Sequence, residues 1–350
     1  MTIVAETLEK GKNFDTFQMG QYVTKSCKPV ASSAFLFYNL PWCFGTASGL
    51  ELPQAAWISS ILRKRQHMKV KIISDSTCDL SPDLVQKYDI AITPLSVSLG
   101  GTYLKDGSEI KPDDIYAYVS QSGKLPKTSA VNVNEYRRVY EQWTAEGYAV
   151  VQICISSLFS ACYANACQAA KNMENVFVVD SMNLSTGQGL VTLHAAEMAA
   201  AGADAKAIYE SCKDMVPRVE ASFVIDTLDY LYKGGRCNAL AMFGANLLHL
   251  KPCIEVQNGA MLPTKKFRGR MGKVMLDYVE DRLKDRTDID THRIFITHTK
   301  CDPADVQAVR NKILELVPDF EEILETNAGS TVTTHCGAGT LGILFVRKEK

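Results

Sequence analysis

The stretch MKVKIISDSTCDLSPDLVQKYDIAITPLSVSLGG, residues 68–101, sets the fold. Two β-branched runs, Val70–Ser74 and Ile90–Leu99, flank a segment of helical pattern. Strands alternating with helices indicate a parallel sheet covered by crossover helices. The alternation continues outward, with strands predicted at Tyr148–Ile155 and Val176–Asp180. Ahead of the first of these, Tyr136, Val139, Tyr140 and Trp143 fall at i, i+3, i+4 and i+7, so this segment turns one apolar helical stripe to the sheet. Residues 185–201, STGQGLVTLHAAEMAAA, open on cap-type hydroxyls and read as a second long helix.

The style changes near Pro217. In PCIEVQNGAMLPTKKF, residues 252–267, Asn258–Gly259 between two apolar runs predicts a hairpin closed by a type I′ turn. Helices are expected at 271–287 and 303–316, with strands near Arg293–His298, Glu322–Thr326 and Leu341–Val346. The expectation is therefore an α/β domain over residues 68–217, with a parallel sheet and flanking helices, and an α+β domain with a mixed sheet over 218–350. Residues 1–67 differ in texture and read as an N-terminal extension without an assignable fold. The basic cluster ILRKRQH at 61–67 reads as a solvated linker.

Composition narrows the function. Of 350 residues, 46% are hydrophobic and 22% charged, the balance of a globular protein. With 38 basic and 39 acidic side chains the net charge is -1, which predicts no overall attraction to nucleic acid or to an anionic membrane. No apolar run approaches the roughly 18 residues of a membrane span, and the start lacks the basic-then-apolar order of a signal peptide. The eleven cysteines include no CxxC pair and read as reduced, mostly buried small hydrophobes in a cytoplasmic protein. There is no GxxxxGK[ST] loop, HExxH segment or GxSxG elbow, so neither P-loop nucleotide binding nor a metal or cofactor site is expected.

Four polar clusters sit where α/β architecture places ligands. Thr128 and Ser129 precede the helix carrying Tyr136, where they could bind an anion or simply cap the helix. Ser156, Ser157 and Ser160 follow the strand VVQICI, and three serines are more than one cap requires. Gly234-Gly235-Arg236 offers close backbone approach and a permanent charge, or else a helix C-cap and a solvated arginine. His335 lies in THCGAGTLG, residues 334–342, whose Gly337, Gly339 and Gly342 satisfy GxGxxG. Only eight residues follow, too few for a dinucleotide-binding unit, so a histidine in a glycine-rich turn remains.

These motifs occur in a recognisable order: IISDSTCDLS (72–81), PLSVSLGG (94–101), PKTSAVN (126–132), CISSLFSACY (154–163), KGGR (233–236), LLHLKPCIEVQNG (247–259) and THCGAGTLG (334–342). In that order the chain from Met68 onward resembles the DegV family, specifically its FakB-type fatty-acid-binding proteins. The resemblance implies a two-domain DegV-like α/β fold holding a long-chain fatty acid between its domains, with no cofactor. Carried over by motif, the carboxylate would be held by Thr128, Ser129, Ser156, Ser157, Ser160 and His335. Arg268, after the hairpin, and Arg236 would serve the head group or the docking surface for a partner. That partner is implied to be a separate fatty acid kinase, which phosphorylates the presented acid; the carrier then takes the acyl phosphate to phospholipid synthesis. The chain departs from the family pattern at SACY, where Ala161 replaces a usual glycine, and at AVN after the Thr-Ser pair. Two other readings of the same groups are a serine hydrolase or acyltransferase with His335 as base and a sensor of a small phosphate ligand.

Overall fold

The structure, a computed structural model, describes residues 68–237 and 250–349. The expected extension 1–67, its basic cluster and the start of the LLHLKPCIEVQNG motif lie outside the described residues. The N-terminal lobe runs β1 (Val70–Asp75), α1 (Pro82–Lys87), β2 (Ala91–Thr93), β3 (Ser96–Leu99), β4 (Thr102–Lys105), α2 (Pro112–Ser122), β5 (Lys127–Ser129), α3 (Val133–Ala145) and β6 (Ala149–Cys154). It closes with α4 (Cys162–Ala170), β7 (Val176–Asp180), α5 (Ser185–Ala200) and α6 (Ala205–Met215). The C-terminal lobe comprises β8 (Val219–Val224), α7 (Asp229–Gly234), β9 (Leu250–Gln257), β10 (Ala260–Arg268), α8 (Met271–Leu283), β11 (Ile289–Thr299), α9 (Pro303–Leu316), β12 (Glu322–Asn327), α10 (Ser330–Cys336) and β13 (Thr340–Arg347).

The alternating N-terminal pattern forms a parallel sheet of order β2-β1-β6-β7. The C-terminal strands form a mixed sheet of order β10-β9-β8-β13-β11-β12, in which only β11 and β12 run parallel. The parallel strands all precede the turn Val216–Arg218 and the mixed ones all follow it. Asn258 and Gly259 have φ of 50° and 81°, as a type I′ turn requires, and Gln257 pairs with Ala260 across it.

Two expectations are corrected. Ile90–Leu99 is not one strand: Ala91–Thr93 joins the parallel sheet, while Ser96–Leu99 joins a separate antiparallel sheet of order β4-β3-β5. Pro94, with its fixed φ and no N–H to donate, falls between the two pieces. The hydroxyls opening α5 are not caps either. The N-cap is Leu184 without a side-chain bond, and Ser185, at φ 53°, donates to Asp79 Oδ2 at 2.6 Å, while Thr186 pairs with Thr297 across the lobes at 2.6 Å.

The reason lies in the position of α5, which packs on β1 and β6 of one sheet and on β8, β11 and β13 of the other. Buried on both sides, it has no single apolar stripe, and its polar side chains must find protein partners. Gln188 accepts from Thr77 at 3.0 Å and donates to Ser74 at 3.0 Å. At Gly189 a Cβ would lie 2.8 Å from the Cys78 carbonyl, so this crossing admits no side chain. The interlobe face of the mixed sheet carries Ala221, Phe223, Ile254, Val256, Phe295 and Leu344, while Val224, Ile294, Ile296 and Ile343 face α8 and α9. Seven of the nine described cysteines are buried and none forms a disulfide, as their reading as small hydrophobes requires.

Candidate functional site

The site begins with β5. Asn132, rather than Thr128 or Ser129, caps α3: its side chain accepts from the Glu135 N–H, and the Glu135 carboxylate accepts in return. The hydroxyls of Thr128 and Ser129 are thereby released from capping, and both residues line a cavity of about 50 Å³. From the opposite side comes His335, which stands in the last turn of α10 rather than in the glycine turn that follows. Thr128 Oγ1 and His335 Nε2 lie 2.9 Å apart across 207 residues of sequence. Thr77, Ser160, Arg236 and Thr331 complete the polar lining, and Leu95, Ile155, Phe159, Leu184, Met261 and Val332 supply apolar wall.

The imidazole is held by a close backbone approach. A Cβ at Gly234 would stand 2.4 Å from His335 Nδ1, so any larger residue at the end of α7 must displace the ring. Gly235 is the left-handed C-cap at φ 68°, and the exposed Arg236 donates to the Gly234 carbonyl at 2.8 Å. Gly234 thus makes a close backbone approach and Gly235 the helix C-cap. His335 Nδ1 is buried without a hydrogen-bond partner. Burial, with the nearby Arg236 charge second, lowers its pKa to about 4, so the ring is neutral at pH 7. Charge compensation for an anion would fall to Arg236, whose guanidinium is permanently cationic.

The helix bearing His335 is positioned by carboxylates from the other lobe. The N–H of Gly329 donates to Asp79 Oδ1 at 2.8 Å, that of Ser330 to Asp106 Oδ1 at 2.9 Å, and that of Thr331 to Asp106 Oδ2 at 3.3 Å. These are the leading donors of the helix, satisfied by carboxyl oxygens. Burial raises the Asp79 pKa to about 7, against the pull of the Ser185 and Gly329 bonds. Asp75, also buried, accepts from Tyr136 at 2.5 Å and from the Ile155 N–H at 3.0 Å, which fixes the start of the serine loop; burial raises it to about 6.

The serine loop separates into three roles. Ser156 is fully buried and donates to the Gly259 carbonyl at 2.8 Å, tying the loop to the β9–β10 turn. Ser157 is exposed, its N–H directed at the Asp180 carboxylate. Ser160 alone of the three lines the cavity, where its oxygen also accepts the Cys162 N–H at 3.3 Å. Ala161, at φ -75°, needs no glycine. Arg268, at the exposed end of β10, lines none of the cavities described here. Sequence reading missed Thr331, one helical turn before His335 and buried, whose Oγ1 has no hydrogen-bond partner. The i, i+4 spacing of Thr331 and His335 was the available signal, hidden by reading the segment as a turn.

A second cavity of about 40 Å³ shares Leu184, Val332 and Cys336 with the first and is otherwise walled by Ala221, Phe223, Val256, Ala328 and Leu344 among others. The polar cluster is thus separated from a second, mainly apolar cavity between the lobes by Leu184, Val332 and Cys336. Neither small cavity is commensurate with the roughly 300–1,000 Å³ of ordinary ligand pockets, so a long ligand requires the shared side chains to part. Among the described residues no carboxylate hydrogen-bonds to His335, whose Nε2 pairs with Thr128 and whose Nδ1 has no partner, so the orienting acid of a serine-histidine hydrolase is not supplied there. The described residues contain no group of three metal-ligating side chains and no helix long and apolar enough to cross a membrane.

Comparison with known proteins converges on one family. The family model described as "Uncharacterised protein, DegV family" matches residues 69–348. A DegV domain-containing protein of Clostridium acetobutylicum is 30% identical over 285 residues, covering 80% of this chain and 99% of the relative. A fatty-acid-binding DegV family protein of Thermus thermophilus superposes with a TM-score of 0.73 at 28% identity, covering 80% of this chain and all of the other. A Thermotoga maritima protein whose structure reveals a fatty acid binding function gives 0.69 at 30% identity, again covering 80% of this chain and all of the other. With a family model spanning residues 69–348 and a relative 30% identical over nearly its whole length, the chain belongs to the DegV family.

Proposed function

We propose that the protein binds a long-chain fatty acid between its lobes, with the carboxylate at Thr128 and His335 and the chain along the two apolar cavities. The observation that carries the reading is the 2.9 Å pairing of Thr128 with His335 at the polar end of that line. A sixteen-carbon acid has about fourteen methylenes at about 0.8 kcal/mol each, so the tail contributes about 11 kcal/mol before ordering costs. The head group contributes orientation. Its burial is unfavourable unless hydrogen-bonded, and bonds from Thr128, Ser129, Ser160, Thr331 and neutral His335, at about 1.5–3 kcal/mol each to a charged acceptor, offset the desolvation. Arg236, exposed at the rim, supplies the positive charge that His335 lacks.

In this reading the protein is a cytoplasmic carrier rather than an enzyme. It presents the carboxylate to a separate fatty acid kinase and conveys the acyl phosphate to phospholipid synthesis. Resemblance to the FakB-type proteins supports the partner, and so does the exposure of two large apolar side chains close in sequence to cavity-lining residues: Leu158, beside Phe159 in the serine loop, and Tyr232, on α7 ahead of Arg236. Native mass spectrometry of protein purified from a lipid-replete host is expected to show a bound mass of a fatty acid, reduced in Thr128→Val. Adding a fatty acid kinase and ATP should convert that mass to the acyl phosphate. Spectra persistently without lipid would refute the binding reading, and binding without conversion by any fatty acid kinase would refute the delivery step.

A further inference from the structure

The second cavity abuts a larger and mostly polar groove, with Glu220, Glu255, Arg282 and Arg347 in its lining. Strands β8 and β9 pair only over Ser222–Glu255, Phe223–Ile254 and Val224–Cys253. Beyond Ser222, β8 keeps its pairing with β13 down to Val219, while β9 keeps its pairing with β10 out to Gln257. The two strands therefore diverge inside the sheet and leave a fork. A groove of about 390 Å³ occupies it, lined by Glu220 and Ala221 on one limb and by Val256 and Gln257 on the other. Ala221 and Val256 also line the second cavity, so these two small side chains are the shared wall between the interior and the groove. Gln257 and Asn258 are exposed, which opens the groove to solvent. Arg282 of α8 bridges the limbs, donating to Glu255 and to Glu220 at 2.7 Å each, and holds the fork at a fixed span.

We propose that this fork is a rear opening of the acyl channel, through which the methyl end of a long unbranched acid leaves the interior, with Ala221 and Val256 as the residues that set how much chain is accepted. The inference rests on the fatty-acid reading above. A blind channel rejects any chain longer than itself by overpacking. An open one behaves differently: each methylene beyond the fork returns to water and adds nothing, so affinity rises with chain length and then levels.

The test is the affinity of straight-chain acids from twelve to twenty-four carbons for the full chain, Ala221→Phe and Val256→Phe. Wild type should level, holding the longest acids within about threefold of the sixteen-carbon acid. Each variant should lose the longest acids by about tenfold or more beyond whatever it loses for the twelve-carbon acid. A second measurement needs no variant: a nitroxide on the methyl end of a bound twenty-carbon acid should be reduced by aqueous ascorbate at close to the rate of the free probe. A sharp wild-type cut-off beyond one length, equal weakening of short and long acids in both folded variants, or a protected nitroxide would each overturn the rear opening while leaving fatty acid binding intact. Failure of wild type to bind any acid would instead overturn the parent reading, and this inference with it.

Discussion

Gly234→Ala should disable the head-group site while leaving the fold intact. The added Cβ would stand 2.4 Å from His335 Nδ1, where an ordinary contact begins at 3.4 Å, so the ring must shift by about 1.0 Å (3.4 less 2.4). From a Thr128–His335 separation of 2.9 Å, a shift of that size either crowds the threonine or carries Nε2 beyond the hydrogen-bond limit. One charge-assisted bond to a carboxylate is worth about 1.5–3 kcal/mol, so the dissociation constant for a fatty acid should rise about 10- to 150-fold. Stability should change little. Glycine to alanine at a backbone conformation alanine can adopt stabilises by about 0.4–1 kcal/mol through the unfolded chain, which offsets part of the cost of displacing the ring. Acid affinity is to be measured alongside the melting temperature, with the corresponding methyl ester as control. Acid binding within about twofold of wild type in a folded variant, or an equal loss for acid and ester, would refute the reasoning.

Thr128→Val keeps the side chain's shape and removes its hydroxyl; acid affinity should fall by the same order, while the gain per added methylene, read from a chain-length series, stays unchanged. Arg236→Gln should weaken the acid but not the ester, more so at low ionic strength, and should move the His335 pKa upward from about 4, followed by the ring protons in NMR spectra. Asp79 holds a proton in the folded state up to about pH 7 that the unfolded chain releases near pH 4, so its contribution makes stability fall as pH rises through that window. His335 acts in the opposite sense, because a ring lowered to about 4 destabilises the fold as pH drops below 6.5. In Asp79→Asn the stability relative to wild type, from denaturant unfolding at pH 5 to 8, should therefore increase with pH; a flat difference would contradict a raised Asp79 pKa.

Much of the fold was legible because its strands obey simple rules. The runs at Val70, Tyr148 and Val176 are short, β-branched and separated by helical stripes, and Asn258–Gly259 admits few conformations other than the turn it makes. Ile90–Leu99 was misread because apolar periodicity continues through Pro94, while strand pairing depends on N–H donors that a hydropathy pattern does not register. The hydroxyls of α5 were misread for a related reason: local rules assign them to a cap, whereas burial between two sheets assigns them to Asp79 and Thr297. In the site, Thr128 and His335 could be named from their motifs, but not their pairing, which depends on a contact across 207 residues. The three serines look alike in sequence and differ in burial, so no local signal separates the inward Ser160 from the outward Ser157. Nothing in the sequence singles out Asp79 and Asp106, because their partners are the backbone of a distant helix.

That last arrangement has a mechanical consequence. The helix that carries His335 belongs by sequence to one lobe, yet its leading amides are moored to acids of the other. The halves of the protein cannot hinge apart while both ends of that tether hold, so any wide parting must either break the moorings or pull the imidazole off Thr128. Under the fatty-acid proposal, loading, release and grip then become one event, and the ligand is let go by the same movement that gives it room to leave.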